Sequence, residues 1–268
     1  MTAFAPDLCT PDRITALCGP AAREVSIEVV AETGSTNTDL LARVASLAPR
    51  HCLLALTQTA GRGRAGRSWL SSADASLTFS LAWKFRRPLH QLVGLPLAVG
   101  VVIAEVMASF QVEVALKWPN DVLCGGRKLA GVLIESTGAA EPNGGAWAVI
   151  GIGMNVHLPD SLAAQLAQPV AHMSTAPVDR ERLIAALLDG LAEAMNRFED
   201  QGFAAFQSRW NALHAHRGKI VSVVDQGRVL HEGVARGVDS MGRLLLDTVA
   251  GEVAVMAGDV SLRPQAEV

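Results

Sequence analysis

The apolar positions of this chain recur with two periods, and the changes between them mark out its elements. Residues 25–30 and 52–57 are short apolar runs that read as strands. Residues 76–84 alternate, with Leu77, Phe79, Leu81 and Trp83 on one face. After the first strand, Leu40, Leu41, Val44 and Leu47 fall at helical spacing. They follow Thr36-Asn37-Thr38-Asp39, which reads as a capping box: Thr36 would accept from the third backbone N–H, and Asp39 suits the positive helix end. The most apolar window, residues 92–110, contains Gly94, Pro96, Gly100 and Glu105, and reads as a buried helix rather than a membrane span. A strand over 112–118 follows, then a turn at Pro119-Asn120-Asp121 and a hairpin bending at Gly125-Gly126 and returning over 129–135. Residues 146–154 form another apolar strand. Residues 180–198 place Leu183, Ile184, Leu187, Leu188, Leu191, Met195 and Phe198 on one helical face, and a second helix covers 203–213.

From about Arg217 the pattern becomes short β segments separated by Asp225-Gln226-Gly227, Asp239-Ser240-Met241-Gly242 and Ala250-Gly251, which predicts a small β-barrel. The expected organisation is a lead-in over 1–24 with little periodicity, a main domain over 25–214 and a small domain over 217–268. At 268 residues, half of them hydrophobic and 18% charged, the chain is globular in composition. A net charge of −3 argues against a general nucleic-acid coat. Cys9, Cys18, Cys52 and Cys124 form no C-x-x-C pair, which suits free thiols in a reducing cytoplasm. The first residues lack a basic, apolar signal pattern. His214 and His216 have no cysteine near them in the sequence, so no zinc site is expected.

Against this mildly acidic background, Gln58-Thr59-Ala60-Gly61-Arg62-Gly63-Arg64-Ala65-Gly66-Arg67-Ser68-Trp69 concentrates positive charge. Three guanidiniums so close together repel, and an anion among them would offset that. The glycines let backbone N–H groups approach the anion. Gly61 to Gly66 also spells G-x-G-x-x-G. A dinucleotide fingerprint, however, needs a helix at the glycines and an acid about 20 residues on. Ser68-Trp69-Leu70-Ser71-Ser72 is a poor helix start, and no Asp or Glu lies between Asp74 and Glu105. A flexible RGG tail fits poorly between two strands. An anion-binding loop inside a folded domain is the better reading.

Three further runs carry polar chemistry. Lys117-Trp118-Pro119-Asn120-Asp121 delivers a lysine and then a turn presenting Asn and Asp together, although Pro-Asn-Asp is also an ordinary turn. Arg127 to Glu135 opens with Lys128 at a strand start, where a solvated lysine is the common case. Gly151-Ile152-Gly153-Met154-Asn155 looks like a degenerate dinucleotide loop, which Val156 and Pro159 spoil. In this order, and with Gly34-Ser35-Thr36-Asn37 ahead of them, the runs closely resemble the biotin–protein ligases from about Val25 to the end. The family commonly has Asp where Gly34 stands, so the turn before the helix is looser here. About two dozen residues precede the first strand, too few for the winged DNA-binding domain of bifunctional members. The resemblance is therefore to a monofunctional ligase.

The resemblance implies an α+β fold: a mixed sheet with packed helices, like the catalytic domain of class II tRNA synthetases, followed by a small SH3-like β-barrel. It implies two steps. Biotin's carboxylate attacks the α-phosphate of ATP to give biotinyl-5′-AMP, and a lysine of a biotin carboxyl carrier protein, or of a carboxylase's carrier domain, then takes the biotinyl group. Ser35, Thr36, Asn37 and Gln58 would line the biotin end. Arg62, Gly63 and Arg64 would meet carboxylate and phosphate, and Arg67 and Lys117 the ATP phosphates. Trp69 would stack on adenine, and Lys128 would hold the carboxyl or acyl-phosphate oxygen. Asn120 and Asn155 would contact nucleotide or metal shell, and Asp121 would position the acceptor lysine. Mg²⁺ would bridge phosphate oxygens, no protein metal cage being visible. No DNA or membrane partner is implied, and homodimerisation stays open. The competing readings are a lipoate–protein ligase or octanoyl transferase on the same scaffold, and a non-catalytic RNA-binding module using the Gly/Arg loop. The 4% aromatic content counts against the last.

Overall fold

The computed structural model describes residues 9–73, 75–138, 145–157, 170–173, 178–225, 227–257 and 260–264. The alternation read in the sequence builds a seven-stranded sheet from β1 (Ser26–Thr33), β2 (Arg50–Gln58), β3 (Ser76–Phe85), β4 (Ala115–Lys117), β5 (Asp121–Cys124), β6 (Arg127–Gly138) and β7 (Ala146–Asn155). Their spatial order is β1-β2-β3-β7-β6-β5-β4. Only β1 and β2 run parallel, so the sheet is mixed.

Each face of the sheet has its own cover. On one side Leu77, Phe79, Leu81, Ile150 and Ile152 join the main core beneath α3 (Leu95–Ser109) and α4 (Arg180–Gln201). Wedged between sheet and α4, helix α3 is apolar on nearly every side. On the other side Leu53, Ala82, Trp147 and Val149 pack with Leu40 and Val44, under α2 (Thr36–Arg43) and the short turn after it. By the period of two, Ser80, Gly151 and Gly153 share this second face.

Several local expectations change. The lead-in contains α1 (Pro11–Leu17), capped by Thr10. Ion pairing of Arg13 with Glu181, and Asp189 accepting from the backbone N–H groups of Gly19 (2.6 Å) and Ala22 (3.1 Å), dock this segment onto α4. The partners are some 170 residues apart in the chain, so no local pattern announces them. The capping box is not formed: Ser35 is the N-cap and makes no side-chain cap bond. Thr36 instead turns toward Gln58 and Ser80, while the Asp39 carboxylate accepts from Thr33. The strand expected over 112–118 shortens to β4. The helix expected over 203–213 is a 3₁₀ turn (Gly202–Ala205) followed by α5 (Gln207–Ala212).

The last residues form β8 (Ile220–Asp225), β9 (Arg228–Val238), β10 (Leu244–Thr248), β11 (Gly251–Val255) and β12 (Val260–Pro264). They pair antiparallel in the order β11-β10-β9-β8-β12 around Val221, Val223, Ala235, Leu244, Leu246 and Leu262. Register shifts in β8–β9 and β9–β10 coil this sheet. Among the described residues no ladder joins β11 to β12, so the sheet is open where a closed barrel was expected. It is stitched to the rest of the chain at several points. The Trp118 indole donates to the Gly242 carbonyl (3.2 Å), Gln207 donates to the Val238 carbonyl (2.9 Å), and Asn211 exchanges two hydrogen bonds with Val238. Among the described residues no helix is long and apolar enough to cross a membrane.

His214 and His216 lie at this junction, each 7% exposed. Neither ring nitrogen of His214 has a hydrogen-bond partner, nor does Nδ1 of His216. Burial pushes both down to about 4 from 6.5; His216 and Arg217 add to this for His214, and Lys117 and Lys219 for His216. The folded state therefore holds both rings neutral where the unfolded chain binds protons. Stability should be complete above pH 6.5 and fall progressively as pH drops to about 4, by at most ~1.4 kcal/mol per pH unit per histidine. Urea titrations at pH 7.5 and pH 5 should show this loss, and His214→Gln should reduce it; an identical loss in the variant would refute the assignment.

Candidate active site

The site rests on the middle of the sheet, where β6 and β7 pair Gly131 with Gly153 and Leu133 with Gly151. A side chain at Gly151 would overlap the Asn37 amide, and one at Gly153 would overlap the Trp69 indole. A Cβ on Gly131 would stand 2.9 Å from Lys128 Nζ. Three missing side chains thus leave a strip on which α2, the arginine loop and the Lys128 chain all lie. Gly151 and Gly153 lie within the strand expected over 146–154, and their likeness to a dinucleotide loop has a different cause: these glycines serve close approach to the sheet.

One end of the strip is a chain of buried hydroxyls and amides. Gln58 Oε1 accepts from the Thr36 backbone N–H at 2.8 Å and lies 3.1 Å from Thr36 Oγ1. Thr36 Oγ1 is 2.7 Å from Ser80 Oγ, which donates to Asn37 Oδ1 at 2.6 Å. Asn37 Nδ2 donates to the Leu133 carbonyl (3.2 Å) and to Glu135 Oε2 (3.0 Å). Glu135 also pairs with Arg62. Ser80 and Glu135 were not singled out as site residues from the sequence. Ser80 lies in an ordinary alternating strand, and only its fully buried hydroxyl distinguishes it.

The arginine loop folds back on itself. Gly63 N–H donates to the Arg67 carbonyl (2.6 Å) and Trp69 N–H to the Gly61 carbonyl (2.8 Å), across left-handed Ala65 and Gly66. Each guanidinium is led to a different partner. Arg62 reaches Glu135, Arg64 donates to Asn120 Oδ1 (3.1 Å), and Arg67 Nε donates to the Arg64 carbonyl (3.2 Å). Asn120 in turn donates to the Val132 carbonyl at 2.7 Å and ties the loop to β6.

Lys128 Nζ pairs with Asp121 Oδ1 at 2.6 Å and stands 5.6 Å from the centre of the Trp69 ring, within cation–π range. Lys117 lies opposite Asp121 in the β4–β5 register. Burial holds its ammonium below the usual lysine range; Asp121 opposes this, while Lys128, Arg263 and Arg67 add to it. Asn155 closes β7, its amide donating to the Ala171 (3.1 Å) and Lys128 (3.4 Å) carbonyls.

These residues surround a cavity of about 570 Å³. Its lining includes Ser35, Thr36, Asn37, Gln58, Arg62, Gly63, Arg64, Arg67, Trp69, Asn120, Lys128 and Asn155. Lys117 and Asp121 stand behind the lining, Asp121 acting through Lys128. Arg263, from β12 of the second sheet, also lines the cavity, and no local motif in the sequence marks it. The outer side of the same loop borders a second cavity of about 820 Å³ with Pro96, Pro119 and Ala257, so the loop is the partition between two spaces. Among the described residues no group of three or more His, Cys, Asp or Glu gathers to hold a metal ion.

Residues 29–155, which include the arginine loop, Lys128 and Asn155, match the biotin/lipoate A/B protein ligase family, and residues 216–263 match the biotin protein ligase C-terminal domain. The chain is 35% identical to the bifunctional ligase/repressor BirA of Escherichia coli over 89% of its length and 74% of that protein's. It is 36% identical to the biotin--[acetyl-CoA-carboxylase] ligase of Mycobacterium tuberculosis over 87% of this chain and 88% of that one. Among solved structures, the biotin protein ligase of Aquifex aeolicus in complex with biotin and ATP superposes with a TM-score of 0.74 at 26% identity, covering 90% of this chain and 99% of that one. With the site residues gathered around one cavity and these relatives matched over most of both chains, this chain belongs to the biotin–protein ligase branch of the biotin/lipoate A/B protein ligase family.

Proposed function

We infer that this cavity converts biotin and ATP to biotinyl-5′-AMP and pyrophosphate, and then passes the biotinyl group to a lysine of a biotin carrier domain. One observation carries the reading: a single cavity joins a buried hydroxyl–amide end to a wall bearing Arg62, Arg64, Arg67 and Lys128. A cyclic urea needs neutral donors and acceptors, and a carboxylate attacking a polyphosphate needs fixed positive charge. The relatives named for biotin ligation support the same assignment. We place the boundary between the catalytic and C-terminal domains at residues 214–217.

In the first step the carboxylate oxygen attacks the α-phosphorus and pyrophosphate leaves. Lys128, held on its strand by Asp121, is placed to stabilise negative charge on the carboxyl and phosphoryl oxygens. Arg64 and Arg67 offset the repulsion between the two anions, and Trp69 offers its face to the adenine. A Mg²⁺ ion carried with the nucleotide would offset phosphate charge, and Asn120 and Asn155 are the residues that would contact the nucleotide or the metal's shell. In the second step a neutral amine attacks the acyl carbon and AMP leaves. Asp121, one ion pair away from the reacting carbonyl, is the group that can receive the amine's proton. The loop, standing between the two cavities, must open to admit biotin and close to keep water from the mixed anhydride.

The direct test is ATP-dependent transfer of labelled biotin to a biotin carrier domain, with lipoate as the control acid; transfer of lipoate but not biotin would reject the reading. Lys128→Ala should leave the fold intact and reduce biotin-dependent pyrophosphate exchange by at least about tenfold, roughly 1.4 kcal/mol. Wild-type exchange in that variant would remove Lys128 from the chemistry. Asp121→Asn should slow transfer from preformed adenylate by about tenfold or more while slowing adenylation less, since only transfer needs a proton acceptor. Equal losses in both steps would reduce Asp121 to a support for Lys128.

A further inference from the structure

The hydroxyl–amide chain has a direction, and the direction follows from counting protons. Asn37 Nδ2 faces two groups that only accept, the Leu133 carbonyl and the Glu135 carboxylate, so its Oδ1 must face Ser80. Ser80 therefore spends its single hydroxyl proton on Asn37 at 2.6 Å. The 2.7 Å contact between Ser80 and Thr36 then requires the Thr36 proton. With that proton committed, the 3.1 Å approach of Thr36 Oγ1 to Gln58 Oε1 brings two acceptors together with no proton between them. Gln58 Oε1 is held in place by the Thr36 backbone N–H alone. Thr36 and Gln58 both line the cavity, whereas Ser80 is fully buried and is not part of its lining.

We propose that Ser80 is a positioning residue for substrate recognition: by taking the Thr36 proton it presents Thr36 Oγ1 and Gln58 Oε1 as a paired acceptor for an N–H donor of the ligand. The inference rests on the reading of the cavity as a biotin site, where a ureido N–H is the donor that fits the pair. It also supplies a reason for selection against acids of similar length whose ring lacks an N–H, because such a ring leaves the two acceptors opposed and buried. Glu135 anchors the far end of the chain and carries Arg62, so the polarity of the acceptor pair and the seating of the loop share one carboxylate.

A double-mutant cycle read by biotin affinity tests this. In Ser80→Ala the Thr36 proton is released to Gln58 and the acceptor pair is lost. Biotin should bind about fivefold to tenfold more weakly, with the KM for ATP unchanged. In a Thr36→Val background, where no hydroxyl remains to be oriented, Ser80→Ala should change biotin affinity less than about twofold. Ser80→Thr, which restores the hydroxyl, should recover affinity. Equal losses from Ser80→Ala in both backgrounds, or no loss in the wild-type background, would overturn the proposal. Thermal melts of each variant separate a folding defect from a binding one. Absence of biotin binding by the wild-type protein would instead overturn the functional reading on which this proposal rests.

Discussion

The site depends on a steric constraint before it depends on any charge: the centre of the sheet must carry no side chains where Gly131, Gly151 and Gly153 stand. Those three positions let the Asn37 amide, the Trp69 indole and the Lys128 ammonium approach the backbone of β6 and β7 closely. Each belongs to a different part of the chain: a helix start, a loop end and a strand start. Only the bare strip brings them to one cavity. A central strand ordinarily loses packing and gains backbone entropy loss with each glycine. Here the lost contacts are replaced by the packing of α2 and the loop onto the opened surface, so the site itself supplies the missing half of the sheet's cover.

Electrostatics is then built on that floor. The three loop arginines would repel if left to solvent, and an anion among them would offset that. The fold supplies part of that offset: Glu135 takes Arg62, the Asn120 carbonyl takes Arg64, and a backbone carbonyl takes Arg67. The partner of Arg67 is a neutral backbone carbonyl, so its positive charge remains at the cavity beside Lys128. The loop is thus oriented before any substrate arrives without being neutralised. That combination suits a wall meant to receive a carboxylate and a polyphosphate, because preorganised charge stabilises a transition state most when it need not reorganise.

Much of this was legible in the residues. The alternation of β3, the apolar run of β7, the unbroken apolarity of α3, the stripe along α4 and the return to short strands after Arg217 each follow from the one-dimensional pattern. The arginine loop and the Lys117-Trp118-Pro119-Asn120-Asp121 run announce chemistry because their charges have no reason to cluster otherwise. What was not legible depends on partners distant in the chain. Helix α1 exists because Glu181 and Asp189 hold it, and the expected capping box fails because Gln58 and Ser80 offer Thr36 better partners than its own helix does. Ser80 and Arg263 carry no local mark at all. The strand β7 is legible, but the role of its glycines is not, since periodicity alone does not distinguish a strand glycine that admits a neighbour from one that merely interrupts the pattern.

The second sheet is part of the site rather than an appendage to it. Trp118, fully buried in the middle of the Lys117–Asp121 run, donates its indole proton to the turn between β9 and β10, so the segment that aims Lys117, Asn120 and Asp121 is braced from outside the catalytic sheet. Leu116 bonds to the stretch leading into β8, and Arg263 lines the cavity. A rotation of the second sheet would therefore move three things together: the brace on Trp118, the positive charge of Arg263, and the buried His214 and His216 at the junction. Because Asn120 holds Arg64 and Asp121 holds Lys128, such a rotation would be felt at both cationic walls of the cavity. The geometry of the phosphate end is thus a property of the two sheets jointly, whereas the hydroxyl–amide end is built from the first sheet and α2 alone.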